Sequence, residues 1–505
     1  MRKWVWPLFW VLLGTTGLSA QTGPTLWIRH LIPVRDAGNV VVSSDGKAAA
    51  GQVRLLFFTK RGRVVGVKDI ALITDTYHLT YHETFVWRDT VQVLLSTYDP
   101  QRRKMALILR RYDLPTLRPA GEFILREWTT ALKATQPFAY ALSPNSSRLA
   151  LYTWTWRSAE QPASFTLSVL DHQLDPIWEQ DYRLPFPNNQ LNIQNILVDD
   201  CNQIYLVSAI YDRPMGVKPN PDDRQYAVLI AEGQPDQVIR YDLGFPTQSL
   251  IGLRTLLDDQ QRFTCFAFFN ERGKRIHQGI YTGQISKLGE PIEQSLIAIS
   301  VDRYDKAYSL PDKEGPFTLF KHPFRYYQVD RVFPNTDGTW TIVGEQRLEI
   351  TNSTEVQYND ILLITVDSSR KKLKWMQRIV KRQDGYLMAY SPFSYAVVPA
   401  GRSFLVFVND APENYPRRKG RQELNQFYSI GRSRRILHRI GPSGHLTTRD
   451  LTPFTGGARV SYIFPGYTFF NPATETVYLY GEGQDKEKRP VGILFDFELA
   501  DLLED

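Results

Sequence analysis

A chain of 505 residues with 43% apolar, 13% aromatic and 22% charged side chains has ample material for a buried core, which excludes a disordered or low-complexity protein. Two cysteines are too few for a disulfide-built scaffold. A formal net charge of +7 is too small to signal nucleic-acid binding, although it favours anionic partners.

From the N-terminus, Arg2 and Lys3 precede an apolar stretch, Trp4 to Leu13, and small residues at Gly17, Ser19 and Ala20. This order predicts a secretory signal over residues 1–20, removed before Gln21. The apolar part is shorter than the roughly 20 residues a spanning helix needs. The expected mature chain, residues 21–505, has no membrane span and is secreted or periplasmic. Without Arg2 and Lys3 its formal charge falls from +7 to +5.

Beyond the signal, eight runs rich in β-branched, aromatic and aliphatic residues follow one another, each opened by a turn-rich stretch. They are residues 39–45, 91–97, 148–154, 204–210, 263–269, 340–346, 404–410 and 477–483. Such a period marks a repeated unit that cannot bury its apolar faces without neighbours. In the sixth copy, Tyr327 to Phe333 alternates, 335–338 turns, Trp340 to Glu345 and Asp360 to Val366 are strands, and Leu373 to Ile379 closes. The sequence therefore predicts an antiparallel four-stranded meander in each copy.

Sheets apolar on both faces are satisfied by radial packing in a closed ring. The sixth copy resembles the bacterial β-propeller repeat in Asp337, Gly338, Asp360, Asp367 and Trp375, and Asp171 with Trp178 echo it. The resemblance implies an all-β propeller of four-stranded blades, eight by this count with seven as the alternative, occupying residues 21–505 as one domain. The last copy is short of a fourth strand, and Leu26 to His30 is expected to complete it.

In such a ring the second-to-third and blade-to-blade connections share one face. The expected insertions, 212–224, 300–325, 347–359 and 410–426, all belong to that set, which makes the face the candidate working surface. Basic residues recur there: Arg102, Arg103 and Lys104; Arg272, Lys274 and Arg275; Arg417, Arg418, Lys419 and Arg421; Lys486, Lys488 and Arg489. Their summed field would attract an anionic ligand, so these residues are the candidate binding site.

Catalytic and metal signatures are weaker. There is no G-x-S-x-G, H-E-x-x-H, P-loop or dinucleotide glycine fingerprint, and no cofactor is expected. His78, His82 and Glu83 have a metal-compatible spacing but lie in a strand context without a third imidazole or thiolate nearby. The pairs Asp199-Asp200 and Asp258-Asp259 occupy equivalent places in adjacent copies, which predicts turn chemistry rather than acid–base work. That same alignment puts Cys201 in a turn and Cys265 in mid-strand, so two free thiols are expected. The function that fits is a binding or scaffold module for a protein or anionic glycan. A carbohydrate-active hydrolase or lyase, with its site at the central channel mouth, and a structural part of an envelope assembly are the alternatives.

Overall fold

The computed structural model describes residues 11–13, 19–23, 27–34, 38–44, 52–59, 64–73, 78–129, 138–154, 159–214, 224–234, 237–285, 290–305, 307, 324–349, 355–369, 371–386, 393–414, 427, 433–452, 459–472, 474–484 and 490–503. Eight antiparallel sheets account for nearly all of them. The chain is an eight-bladed β-propeller, and each predicted apolar run forms the second strand of a blade.

Numbered from the N-terminus, blade 1 comprises Trp27–Val34, Gly38–Ser44, Gln52–Thr59 and Val64–Ala71. Blade 2 comprises Leu79–Trp87, Thr90–Asp99, Lys104–Asp113 and Arg118–Thr129. Blade 3 is Phe138–Leu142, Leu149–Trp154, Pro162–Leu170 and Pro176–Pro187; blade 4 is Leu191–Val198, Ile204–Tyr211, Arg224–Ala231 and Val238–Leu243. Blade 5 is Gln248–Leu257, Phe263–Glu271, Gly279–Ile285 and Glu293–Ala298. Blade 6 is Tyr327–Pro334, Trp340–Glu349, Glu355–Asp367 and Lys372–Ile379, with Gln383–Tyr386 added to its third strand. Blade 7 is Tyr395–Ala400, Ser403–Asp410, Arg434–Ile440 and Leu446–Asp450.

Blade 8 is composite. Arg459–Ile463 and Phe469–Asn471 follow one another along the inner edge of Thr476–Gln484, whose other edge pairs with Pro490–Glu498. The outer strand is Ser19–Gly23, antiparallel to Pro490–Glu498 and itself paired with Val11–Leu13. The N-terminus thus completes the last sheet, but with residues 19–23 rather than 26–30. Residues 27–34 are taken as the inner strand of blade 1, where Gly38–Ser44 otherwise lacks a partner on its channel side. The chain ends in a short helix, Leu499–Leu503.

Packing shows why the sheets stack in a ring. One apolar cluster fills each of the eight interfaces, and the last of them joins blade 8 to blade 1. There Val41, Leu56 and Phe58 meet Phe464 and Tyr480, whose rings stack with centroids 5.7 Å apart. Burying each such aromatic contributes roughly 1.5–3 kcal/mol, so closure rests on side chains as well as on the N-terminal strand. The repeat tryptophans serve the same end. Trp178 and Trp375 lie under Gly233 and Gly444 of the next blade, at φ +78° and +84°, where a Cβ would come within 2.7 and 3.1 Å of the indole.

The paired acids are turn formers. Asp199 accepts from the backbone N–H of Cys201 and Gln203 at 2.9 and 2.8 Å, and Asp258 from Gln260 and Arg262, both at 2.9 Å. Their neighbours latch blades together: the N–H of Asp200 donates to Gln261 Oε1 at 2.6 Å, and Gln261 Nε2 donates back to the Asp200 carboxylate. Cys201 and Cys265 are both free, and burial pushes the Cys265 thiol up to about 12.

The inner strands of blades 1, 2, 4, 5, 6 and 8 each carry a register shift, skipping Arg29, His82, Gln194, Gly252 with Leu253, Asp330 and Ser461. Blades 3 and 7 run regularly. A bulge on an inner strand can re-aim a side chain.

Candidate functional site at the channel mouth of blades 5 to 7

The second strand of blade 6 carries Glu345 and Arg347 two residues apart, on either side of a register shift against the third strand and toward the face that carries the second-to-third connections. Just before them stands Gly344, where a Cβ would lie 2.5 Å from the Gln328 carbonyl oxygen. The missing side chain lets the inner strand approach. That strand bulges at Asp330 and turns its carboxyl onto Arg347.

Arg347 is the hub. Its Nη2 lies 3.0 Å from Asp330 Oδ1 and its Nε donates to Glu345 Oε2 at 2.9 Å. Glu345, with no exposed side-chain surface, also meets Lys381 Nζ at 2.7 Å and accepts from Ser394 Oγ at 2.6 Å. Lys381 comes from the connection between blades 6 and 7, and its ammonium further donates to Gln383 Oε1 at 2.8 Å and the Tyr358 carbonyl at 3.3 Å. Tyr395, on the inner strand of blade 7, donates its hydroxyl to Asp330 Oδ2 at 2.9 Å. From blade 5, Arg254 Nε donates to the Val329 carbonyl at 2.9 Å, so its charge acts on Asp330 too.

Electrostatics follow from burial. Desolvation raises the Asp330 carboxyl to about 6, with Glu345 adding to the shift and Arg347 opposing it. Burial also lowers the Lys381 ammonium, against the pull of Glu345. For Arg347, burial works against the cation, but Asp330 and Glu345 outweigh it and hold the guanidinium above its ordinary range. A second pair, Arg378 with Asp360 at 2.7 Å, is fully enclosed, and the Tyr304 ring covers the Arg378 guanidinium at 4.6 Å.

Tyr304 belongs to a short helix, Val301–Asp305, inside the connection from blade 5 to blade 6. That connection is fastened to the scaffold: Arg378 N–H donates to the Ala307 carbonyl, and the Tyr304 and Tyr327 hydroxyls meet at 3.0 Å. Val356, Tyr358, Phe393, Ala411 and Phe427 form a satellite core under the connections of blades 6 and 7. The stretch expected as a loop over 347–359 is instead mostly strand, because Trp340–Glu349 and Glu355–Asp367 extend as a hairpin that gains Gln383–Tyr386 as a further strand.

The basic residues singled out from sequence fall as follows. Arg102 and Arg103 sit in the second-to-third connection of blade 2 and Lys104 opens its third strand; Arg272, Lys274 and Arg275 occupy the equivalent connection of blade 5. All are exposed, on one face, with blades 3 and 4 between the two groups. Several are engaged locally: Arg102 with Asp99 at 3.8 Å, Lys104 with Glu127 at 3.6 Å and Lys274 with Glu271 at 2.7 Å. Arg417, Arg418, Lys419, Arg421, Lys486, Lys488 and Arg489 lie outside the described residues. His82 bonds Ser96 Oγ at 2.7 Å and packs edge-on to Phe138, and burial lowers it to about 4. Among the described residues, no group of three metal-binding side chains includes it.

Sequence reasoning missed the Asp330–Arg347–Glu345–Lys381 network. The one local signal was Glu345 and Arg347, opposite charges two residues apart directly after the core run Trp340 to Gly344.

No family model and no curated protein matches the chain. Solved structures do share its architecture at low similarity. The propeller domain of the Trilobed protease from Pyrococcus furiosus is 10% identical, with a TM-score of 0.37 over 76% of this chain and 89% of that one. The propeller domain of Cps50 (Swd1) from Myceliophteria thermophila is 10% identical, with a TM-score of 0.30 over 82% and 99%. A GH43 β-1,3-galactosidase is 9% identical, with a TM-score of 0.23 over 60% and 55%. Such scores carry no inference about ligand or activity. Among the described residues, no helix is long and apolar enough to cross a membrane.

Proposed function

We propose that the protein is an exported binding module whose working surface is the propeller face that bears the second-to-third and blade-to-blade connections. One observation carries this reading. Over blades 5 to 7 the described parts of that face carry the helix Val301–Asp305, the extended hairpin of Trp340–Glu349 and Glu355–Asp367, a satellite core and buried polar bonds. Connections carried on a rigid scaffold are where binding residues concentrate.

The partner is a protein or an anionic glycan. Exposed Arg102, Arg103, Arg272 and Arg275 on the same face favour the anionic class, and Arg417, Arg418, Lys419 and Arg421 belong to its blade 7 connection. An acid–base reading is supported by Asp330 and Glu345 converging on Arg347. It is opposed by the burial of Glu345, which leaves that carboxylate unable to touch a substrate. A structural role in an envelope assembly would call for a large contiguous exposed apolar patch.

Residues 1–20 act as the export signal in this reading, and Gln21 to Gly23 then remain to pair with the last blade. The test is retention of the mature protein on a sulfated polysaccharide matrix across a salt gradient. Replacing Arg417, Arg418, Lys419 and Arg421 with Ser should shift elution to lower salt. Unchanged elution removes the charge argument, and a secreted form not beginning at Gln21 removes the proposed cleavage.

A further inference from the structure

Arg347 and Arg254 are the cations of the blade 6 network that reach solvent. Arg347 keeps 30% of its side chain exposed although two of its nitrogens are held by carboxylates, and Arg254 is exposed with its Nε fixed on the Val329 carbonyl. The buried pair Arg378 and Asp360 adds one cation and one carboxylate, which leaves the balance of the network unchanged. What remains is three cations, Arg254, Arg347 and Lys381, against two carboxylates, Asp330 and Glu345. One positive charge is left uncompensated, and it is presented by guanidinium groups whose geometry is already set.

Preorganised guanidinium groups match the planar fork of a carboxylate. A phosphate dianion would ask for one more positive charge than this site has. Two backbone features frame the site. Tyr326 and Ser394, just before the inner strands of blades 6 and 7, have φ of +63° and +73°, values that non-glycine residues seldom adopt. The Tyr326 carbonyl accepts from the N–H of Arg347, and the N–H of Ser394 donates to Gln383 Oε1 at 2.7 Å. The strained residues are therefore the ones that fix the arginine hub and its support.

We propose that Arg254 and Arg347 form a carboxylate-binding site at the long-connection mouth of the channel, taking one carboxylate of a uronate unit or of a free organic acid. This rests on the binding reading of that face and names the group it recognises. The site is distinct from the basic connection of blade 2. Asp330 is faced by Arg254 from blade 5, by Arg347 and Glu345 from blade 6 and by Tyr395 from blade 7. Protonation of Asp330 in mild acid adds one positive charge to the site while a uronate remains ionised. Binding therefore strengthens from about pH 7.5 to about pH 5.5.

Calorimetric titration of the mature protein with trigalacturonate, with neutral galactose oligomers and with acetate tests this. Trigalacturonate is expected to bind, the neutral oligomer not. Arg254→Met and Arg347→Lys should each weaken trigalacturonate roughly tenfold or more, and Lys371→Ser, on the opposite face, should not. Strong competition by acetate assigns the site to free acids, and weak competition to uronate chains; both outcomes support the site. Absence of binding to both acids overturns it, as does unchanged affinity in Arg254→Met. Arg254→Lys with circular dichroism guards against misfolding: a folded Lys variant that binds like wild type also overturns the guanidinium assignment. Should the protein still show salt-sensitive retention on the sulfated matrix when this site fails, the binding face stands and only the carboxylate site falls.

Discussion

Glu345 and Lys381 meet at 2.7 Å with 0% and 2% of their side chains exposed, a buried ion pair that joins the second strand of blade 6 to the connection leading into blade 7. Removing one member of such a pair strands the other charge in a poorly solvated site. Lys381→Met should therefore destabilise the protein by about 3 kcal/mol, measured by urea denaturation. The double variant Lys381→Met with Glu345→Gln should recover part of that loss, and a single variant within 1 kcal/mol of wild type would show that the pair is not compensating as described.

Asp330 gives stability a pH signature. Its folded carboxyl is raised to about 6 from an ordinary value of 3.8, mainly by burial, so between these values the folded state holds a proton that the unfolded state has released. The contribution is complete below about pH 4 and disappears as pH climbs through about 6. Asp330→Asn should remove that decline, so the difference in Tm between wild type and variant should change most between pH 4 and 6. Parallel Tm profiles across that range would contradict the assignment.

Gly344 sets the approach of the inner strand to the arginine hub. A methyl group at that position would stand 2.5 Å from a backbone oxygen, which cannot swing aside as a side chain can. Gly344→Ala should cost about 1–3 kcal/mol by thermal denaturation, with the inner strand of blade 6 displaced in the variant's structure.

Ring closure can be probed where blade 8 meets blade 1. Phe464 is buried against Val41, Phe58 and Tyr480. Phe464→Ala should destabilise by about 3–5 kcal/mol in chemical denaturation. A loss below 1 kcal/mol would show that the ring does not depend on that interface.

The blade count, the second strand of every blade, the acidic turns and the free thiols were legible in the residues. Each is settled locally: alternation decides which face of a strand is buried, and an aspartate two to four residues before an N–H decides a turn. The stretch 347–359 was misread as a loop, since its charged residues resemble a solvated turn until their partners are known.

What tertiary structure alone decided was partnership between distant segments. Asp330, Arg347, Lys381 and Tyr395 come from three strands and a connection, and nothing in their local spacing names them as neighbours. The closing strand was decided the same way. Residues 19–23 and 26–30 are both suited to a sheet edge, and the choice fell to 19–23 because 27–34 is needed beside Gly38–Ser44. Edge pairing and buried charge compensation are long-range quantities, set by which surfaces the closed ring brings together.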